Sequence, residues 1–226
     1  MDFIFMLTRS DQTVEDCLEL LNLIRPVGLK HIGFKDVGVE PPVLARLVEG
    51  IRAAGAVSYL EVVSATPEAA LRSVKLGREL GVDRILGGTD AGRALEILAG
   101  SASRYYPFPG LPHGHPTQLG GTPEQVERQC REFIAKGCAG VDILAYRATE
   151  ADPIELVKAS RRGIGKEGYL IVAGSVTSID RIRAVSEAGA DAFTIGTAVF
   201  DGSYSPRKGS ILSQLEAVLD DCRAAA

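Results

Sequence analysis

The sequence predicts an α/β fold, a single-domain (β/α)8 TIM barrel over residues 1–226. Three observations carry that prediction. Strand-length apolar runs alternate with helix-period segments from end to end, eight such pairs can be counted, and no linker, low-complexity tract or charge block splits the alternation. Strict βα order implies a parallel sheet with right-handed crossovers, and the number eight points to closure; an open doubly wound sheet is the alternative reading.

The strand candidates are residues 3–8, 31–36, 58–63, 84–88, 105–110, 140–147, 169–175 and 192–198. The fifth, "YYPFPG", is the weakest because two prolines interrupt it. Helix starts are well marked. Thr66-Pro67, Thr122-Pro123 and Asp152-Pro153 each place a capping side chain before a proline at the first helical position, with Gln125 and Glu155 three residues after the cap. Gly55, Gly81, Gly137 and Gly189 supply the stops, where the chain needs a left-handed residue. The segment "ILSQLEAVLDDCRAA" reads as the last helix.

Composition narrows the function. The 226 residues are 46% hydrophobic and 24% charged with a net charge of −4, ordinary for a globular chain large enough to bury a core without staples. The absence of a basic stripe excludes nucleic acid as an expected partner, while a small anion needs only a local site. Cys17, Cys130, Cys138 and Cys222 are scattered, which argues against a zinc cluster or disulfide framework and fits a reducing compartment. The apolar stretch at the N-terminus is too short for a signal peptide or membrane span, so a cytoplasmic protein with no membrane partner is expected.

In such a barrel the active site is built at the C-terminal ends of the strands. Those ends supply Thr8, Arg9, Lys35, Asp36, Glu61, Asp90, Arg147, Gly174, Ser175, Gly196 and Thr197. In "HIGFKD", Lys35 shares a face with Gly33 and His31; in "SYLEVV", Glu61 shares a face with Tyr59 and Val63. Strands two and three are neighbours, so an inward Lys35 and an inward Glu61 are expected to pair, because a lone buried charge is very costly. Such a pair is an acid–base unit, with the alternatives of a Schiff-base lysine or a structural ion pair. Asp36 has the opposite parity and is expected to cap or face a helix. Asp90 either caps the fourth helix or lines the pocket. Arg147 is read as a clamp for a substrate anion, or else as a partner of Glu150. Asp142 is placed early in strand six and read as structural support.

The long loop "PGLPHGHPTQLGG" is of lid length and holds His113 and His115. Two histidines two apart suit a metal with Glu61 or Asp90 as third ligand, but loop histidines are more often ordinary polar residues or substrate contacts. His113 is therefore assigned to acid–base work and His115 to substrate binding, with no metal and no cofactor expected.

Strands seven and eight end alike, in "AGSVTS" and "IGTAVF". Paired Gly-hydroxyl turns, Gly174-Ser175 and Gly196-Thr197, let backbone N–H groups approach an anion, with a helix start beyond each. The stretch "LIVAGSVTSIDRIRAVSEAGADAFTIGTAVF" resembles the closing quarter of the ribulose-phosphate-binding barrel superfamily, matched at Gly174, Ser175, Gly189, Ala190, Asp191, Gly196 and Thr197. That resemblance implies that Gly174, Ser175, Gly196 and Thr197 hold a phosphate. It is specific over about the last sixty residues of the chain. No single branch of that group is matched elsewhere: "GFKDVG" lacks the first aspartate of the Asp-x-Lys-x-x-Asp strand motif of the decarboxylase and hexulose-phosphate synthase branch, and Thr8 stands where the histidine-pathway barrels end strand one in aspartate.

The expected protein is an isomerase or epimerase of a phosphorylated sugar or sugar acid, in which Lys35, Glu61 and His113 do the chemistry. Thr8, Arg9, Asp90, His115 and Arg147 bind substrate. A Schiff-base aldolase or decarboxylase and a non-catalytic sugar-phosphate sensor are the alternatives. A homo-oligomer fits the architecture.

Overall fold

The computed structural model describes residues 1–63, 66–114 and 116–225. Eight parallel strands form one sheet: β1 (Asp2–Met6), β2 (His31–Lys35), β3 (Val57–Glu61), β4 (Arg84–Leu86), β5 (Arg104–Tyr106), β6 (Gly140–Ile143), β7 (Tyr169–Val172) and β8 (Ala192–Ile195). Their order is β6-β7-β8-β1-β2-β3-β4-β5, every adjacent pair parallel. Ala139 N–H donates to the Tyr105 carbonyl and Asp142 N–H to the Pro107 carbonyl, both at 3.1 Å, which brings β5 against β6 and closes the barrel. The fold is the (β/α)8 barrel that the alternation implied.

Around the sheet run α1 (Cys17–Ile24), α2 (Pro41–Ala53), α3 (Pro67–Leu80), α4 (Ala91–Leu98), α5 (Pro123–Lys136), α6 (Pro153–Ile164), α7 (Ile179–Glu187), the four-residue α8 (Thr197–Phe200) and α9 (Ile211–Ala224). The short α8 is additional to the eight helices expected. The caps form as the sequence indicates: Thr122 and Gln125 make a reciprocal capping box on α5, and Asp152 accepts from the N–H groups of Ile154 and Glu155. Gly81 and Gly137 end α3 and α5 at φ +68° and +103°.

Most strands leave the ladder earlier than their apolar runs suggest. Strand six stops at Ile143 rather than 147, and strand seven at Val172 rather than 175. Leu144, Ala145 and Ala173, just beyond these ends, are still buried. Two features were not anticipated. Thr8–Arg9 pairs antiparallel with Gln12–Thr13, and the expected lid loop is a second hairpin, Leu111–His113 against Gln118–Gly120.

The core has two parts. Outward residues such as Phe34, Leu60, Val141 and Phe193 pack against the helices. Inward residues Ile4, Met6, Tyr59, Leu86, Tyr106, Ile171 and Ala192 fill the barrel. Gly33 leaves room for Met6 there: a Cβ would lie 2.3 Å from the Met6 sulfur. At the N-terminal floor, Arg84 stacks over Tyr59, Tyr106 and Tyr169 at 5.2, 5.8 and 4.4 Å from the ring centroids. Tyr169 donates to Asp2 at 2.6 Å, and Tyr59 Oη lies 2.9 Å from His31 Nδ1. These side chains plug the floor.

Candidate active site

Lys35 and Glu61 are the last residues of β2 and β3 and are register partners. Strand alternation turns both inward, and they are only 5% and 9% exposed. Lys35 Nζ lies 3.2 Å from Glu61 Oε1 and 2.7 Å from Asp11 Oδ1. Asp11 comes from the tip of the first hairpin, where Ser10 and Asp11 take φ +51° and +59°. A two-residue turn with both residues left-handed matches the twist of a hairpin, and aspartate tolerates that backbone better than most. The hairpin is pinned to β2: Thr13 Oγ1 accepts the Lys35 N–H and donates to the Lys35 carbonyl, both at 2.8 Å. Arg147 Nη2 stands 3.6 Å beyond, on the same Asp11 oxygen. The mouth thus holds a line of alternating charge, Glu61, Lys35, Asp11 and Arg147.

The charge states follow from these neighbours. Burial works against the Lys35 ammonium, but Glu61 and Asp11 outweigh it and leave its pKa above the ordinary lysine value. Asp142 is the opposite case. It points into the barrel from β6, is fully buried, and neither of its oxygens makes a hydrogen bond among the described residues. Burial first, and then the Glu61 charge, push its pKa well above the usual carboxylate range, against the pull of Lys35 and Arg147. Asp142 thus stands late in its strand rather than early, behind the site and lining neither cavity; β6 ends one residue after it.

Two cavities meet at Lys35 and Glu61, which line both. The first, about 280 Å³, lies over the ends of β7 and β8. It is lined by Thr8, Asp11, Arg147 and Thr194 and by all four members of the paired turns, Gly174, Ser175, Gly196 and Thr197. Its glycines permit close approach by the protein's own polar side chains. A Cβ on Gly174 would sit 2.6 Å from Arg147 Nε, and one on Gly196 2.8 Å from Thr8 Oγ1. Gly174 and Ser175 have φ +78° and +59°. Arg181 of α7, stacked on Tyr146, donates to the Ser175 carbonyl and fixes that turn. The second cavity, about 810 Å³, lies between β3, β4, α3 and the second hairpin.

The residues singled out from sequence fall into three groups. Thr8, Lys35, Glu61, Arg147, Gly174, Ser175, Gly196 and Thr197 come together around the first cavity. His113 is exposed and lines the second, its Nδ1 2.9 Å from the Leu111 carbonyl. Arg9 and Asp90 are not brought to either. Arg9 points outward because it alternates with the buried Thr8, and Asp90 spends its carboxylate capping α4 through the Arg93 N–H at 3.1 Å. His115 lies outside the described residues. Arg147 partners Asp11 and the Thr117 carbonyl, at 3.3 Å, rather than Glu150. Asp36 faces α3, where it accepts from the Val63 N–H at 3.0 Å and from Ser73. Asp11, Asp142 and Thr194 were not singled out for the site. Among the described residues no group of three or more His, Cys, Asp or Glu side chains is placed to hold a metal, and no helix is long and apolar enough to cross a membrane.

The fold defines a class: this is a (β/α)8 barrel. No protein-family model matches the sequence, and no curated protein matches it. Solved structures do. Orotidine 5'-phosphate decarboxylase from Pyrococcus horikoshii OT3 superposes with a TM-score of 0.67 at 13% identity, covering 98% of this chain and 99% of that one. Tryptophan synthase complex from Pyrococcus furiosus gives 0.67 at 13%, over 99% and 98%. Native KDPGal gives 0.66 at 13%, over 100% and 96%. At such identities the likeness speaks for the fold alone.

Proposed function

We propose that this barrel is an isomerase or epimerase of a phosphorylated sugar or sugar acid, acting by proton transfer at the carbon next to a carbonyl. The observation that carries the reading is the placement of a charged Lys35 against Glu61, within the wall of a small cavity lined by paired glycine turns and Arg147. The phosphate occupies the turns of Gly174-Ser175 and Gly196-Thr197, with Arg147 as the cation beside it. The substrate carbonyl then reaches the Lys35–Glu61 junction. Glu61 takes the proton from carbon, the C–H electron pair moves into an enediolate, and the Lys35 ammonium stabilises the oxygen that gains charge. Return of the proton to the neighbouring carbon, with the hydroxyl proton passing to the former carbonyl oxygen, isomerises the substrate; a proton delivered by water to the opposite face of the same carbon, while Glu61 releases its own to solvent, epimerises it.

The ammonium state of Lys35 favours this over a Schiff-base lyase, which needs a free amine. The test is incubation with a panel of ketose, aldose and sugar-acid phosphates in deuterated water, in parallel with borohydride trapping. Deuterium entering the substrate next to its carbonyl, with Lys35 unmodified, supports the proposal. A reduced adduct on Lys35 with no deuterium exchange supports the lyase. Tight binding without turnover, unaffected by Glu61→Gln, supports a sensor.

A further inference from the structure

The second cavity has no part in holding the phosphate, yet it is the larger of the two and opens on the same Lys35–Glu61 junction. Its walls are Val62, Val63, Pro67, Ala70, Phe108 and Leu111, which are apolar. Apart from Lys35 and Glu61 at the junction, no described lysine, arginine, aspartate or glutamate lines it. Its other polar groups are the exposed His113 ring and neutral side chains. The Gln129 oxygen is committed to the Gly110 N–H at 2.6 Å, which leaves its amide NH2 as a donor; the Thr89 and Thr117 hydroxyls are others. Phosphate- and carboxylate-binding sites place cations or clustered N–H groups at the anion, as the first cavity does. Beyond Lys35 at the junction and the exposed His113 ring, a second anionic group in this larger lobe would meet apolar walls, with no guanidinium and no paired turns like those of the first cavity.

We infer that the substrate is a phosphate monoester whose far end is uncharged and largely apolar, a ring or branched carbon body seated in the second cavity. This rests on the phosphate reading of the first cavity and adds what lies beyond the reacting carbon. Bisphosphates and sugar diacids are excluded by it. Substrates with more body than a short sugar chain are favoured, because apolar surface buried on Phe108, Val62 and Val63 adds affinity roughly in proportion to its area, on the order of 25 cal/mol per Å².

The experiment is calorimetric titration of the full chain with methyl phosphate, butyl phosphate, 2-phenylethyl phosphate and butane-1,4-diol bisphosphate. 2-Phenylethyl phosphate is expected to bind at least about tenfold more tightly than methyl phosphate. The bisphosphate is expected to bind no more tightly than butyl phosphate. Thr89→Trp places a ring in the lobe from an exposed position and is expected to erase the phenylethyl gain while methyl phosphate still binds. Equal affinity for the methyl and phenylethyl esters, preference for the bisphosphate, or a gain that survives Thr89→Trp would overturn the inference and leave the phosphate reading standing. Failure of every ester to bind would remove the phosphate reading, and this inference with it.

Discussion

The barrel interior holds a cation at each end, half-buried Arg84 at the floor and buried Lys35 at the mouth, and the chain accommodates them in opposite ways. At the floor, Arg84 is surrounded by the faces of three tyrosines, and its Nη1 makes no hydrogen bond among the described residues. Aromatic quadrupoles offset its charge, and the polar groups beside it, His31 and Asp2, are themselves held by Tyr59 and Tyr169. At the mouth, Lys35 is matched by Glu61 and Asp11, with cavities on both sides. A cation paired with carboxylates beside open space is a site; a cation packed in rings is a plug. The difference also separates what mutations at the two ends should do.

The largest effect is expected from Lys35→Met. It removes the cation between Glu61 and Asp11 and leaves carboxylates buried without it, costing about 3–5 kcal/mol of stability along with activity. Denaturant titration beside turnover measurement checks both. Glu61→Gln keeps the shape of the site and is expected to lower kcat by about 10²- to 10⁴-fold, with little change in Tm. Gly174→Asp puts a carboxylate where Arg147 passes and where the backbone is left-handed, so phosphate-ester binding should vanish in calorimetry.

Arg84→Met reverses the pattern: about 2 kcal/mol of stability lost with its ring contacts, and unchanged kcat/KM per folded molecule. A drop in kcat/KM there would break the contrast between floor and mouth. Asp142→Asn is the smallest change, since a buried amide also lacks partners. The Asp142 carboxyl has a folded pKa above its ordinary value of 3.8. Its neutral form is favoured by folding below that value, and this contribution is lost as pH rises through the raised folded pKa. The stability of Asp142→Asn relative to wild type should therefore grow from acid toward neutral and alkaline pH. Parallel stability curves in unfolding experiments at several pH values would contradict it.

Much of the fold was legible because it is written in local signals. Apolar runs, caps at Thr122 and Asp152, and stops at Gly81 and Gly137 recur with each unit, and counting them leads to the barrel. The Lys35–Glu61 pair was legible for a similar reason: both sit at strand ends of matching parity on neighbouring strands. Asp11 was not, since it reaches the mouth only through a hairpin whose turn depends on left-handed Ser10 and Asp11. Asp142 had the right parity but was given the wrong height. The apolar run through residue 145 continues past the point where β6 stops pairing, so its third residue is near the top rather than the bottom. Strand ends set by closure of the ring are not written in hydrophobicity alone.

Central to this account is that Lys35 acts as an ammonium. Nitrogen-15 NMR of lysine-labelled protein, with Lys35→Met to assign the signal, measures that charge directly. The account predicts that the Lys35 side chain stays protonated past the ordinary lysine value of 10.5. A midpoint below that value, in the neutral range, would contradict it and make Lys35 the free amine of a Schiff-base enzyme.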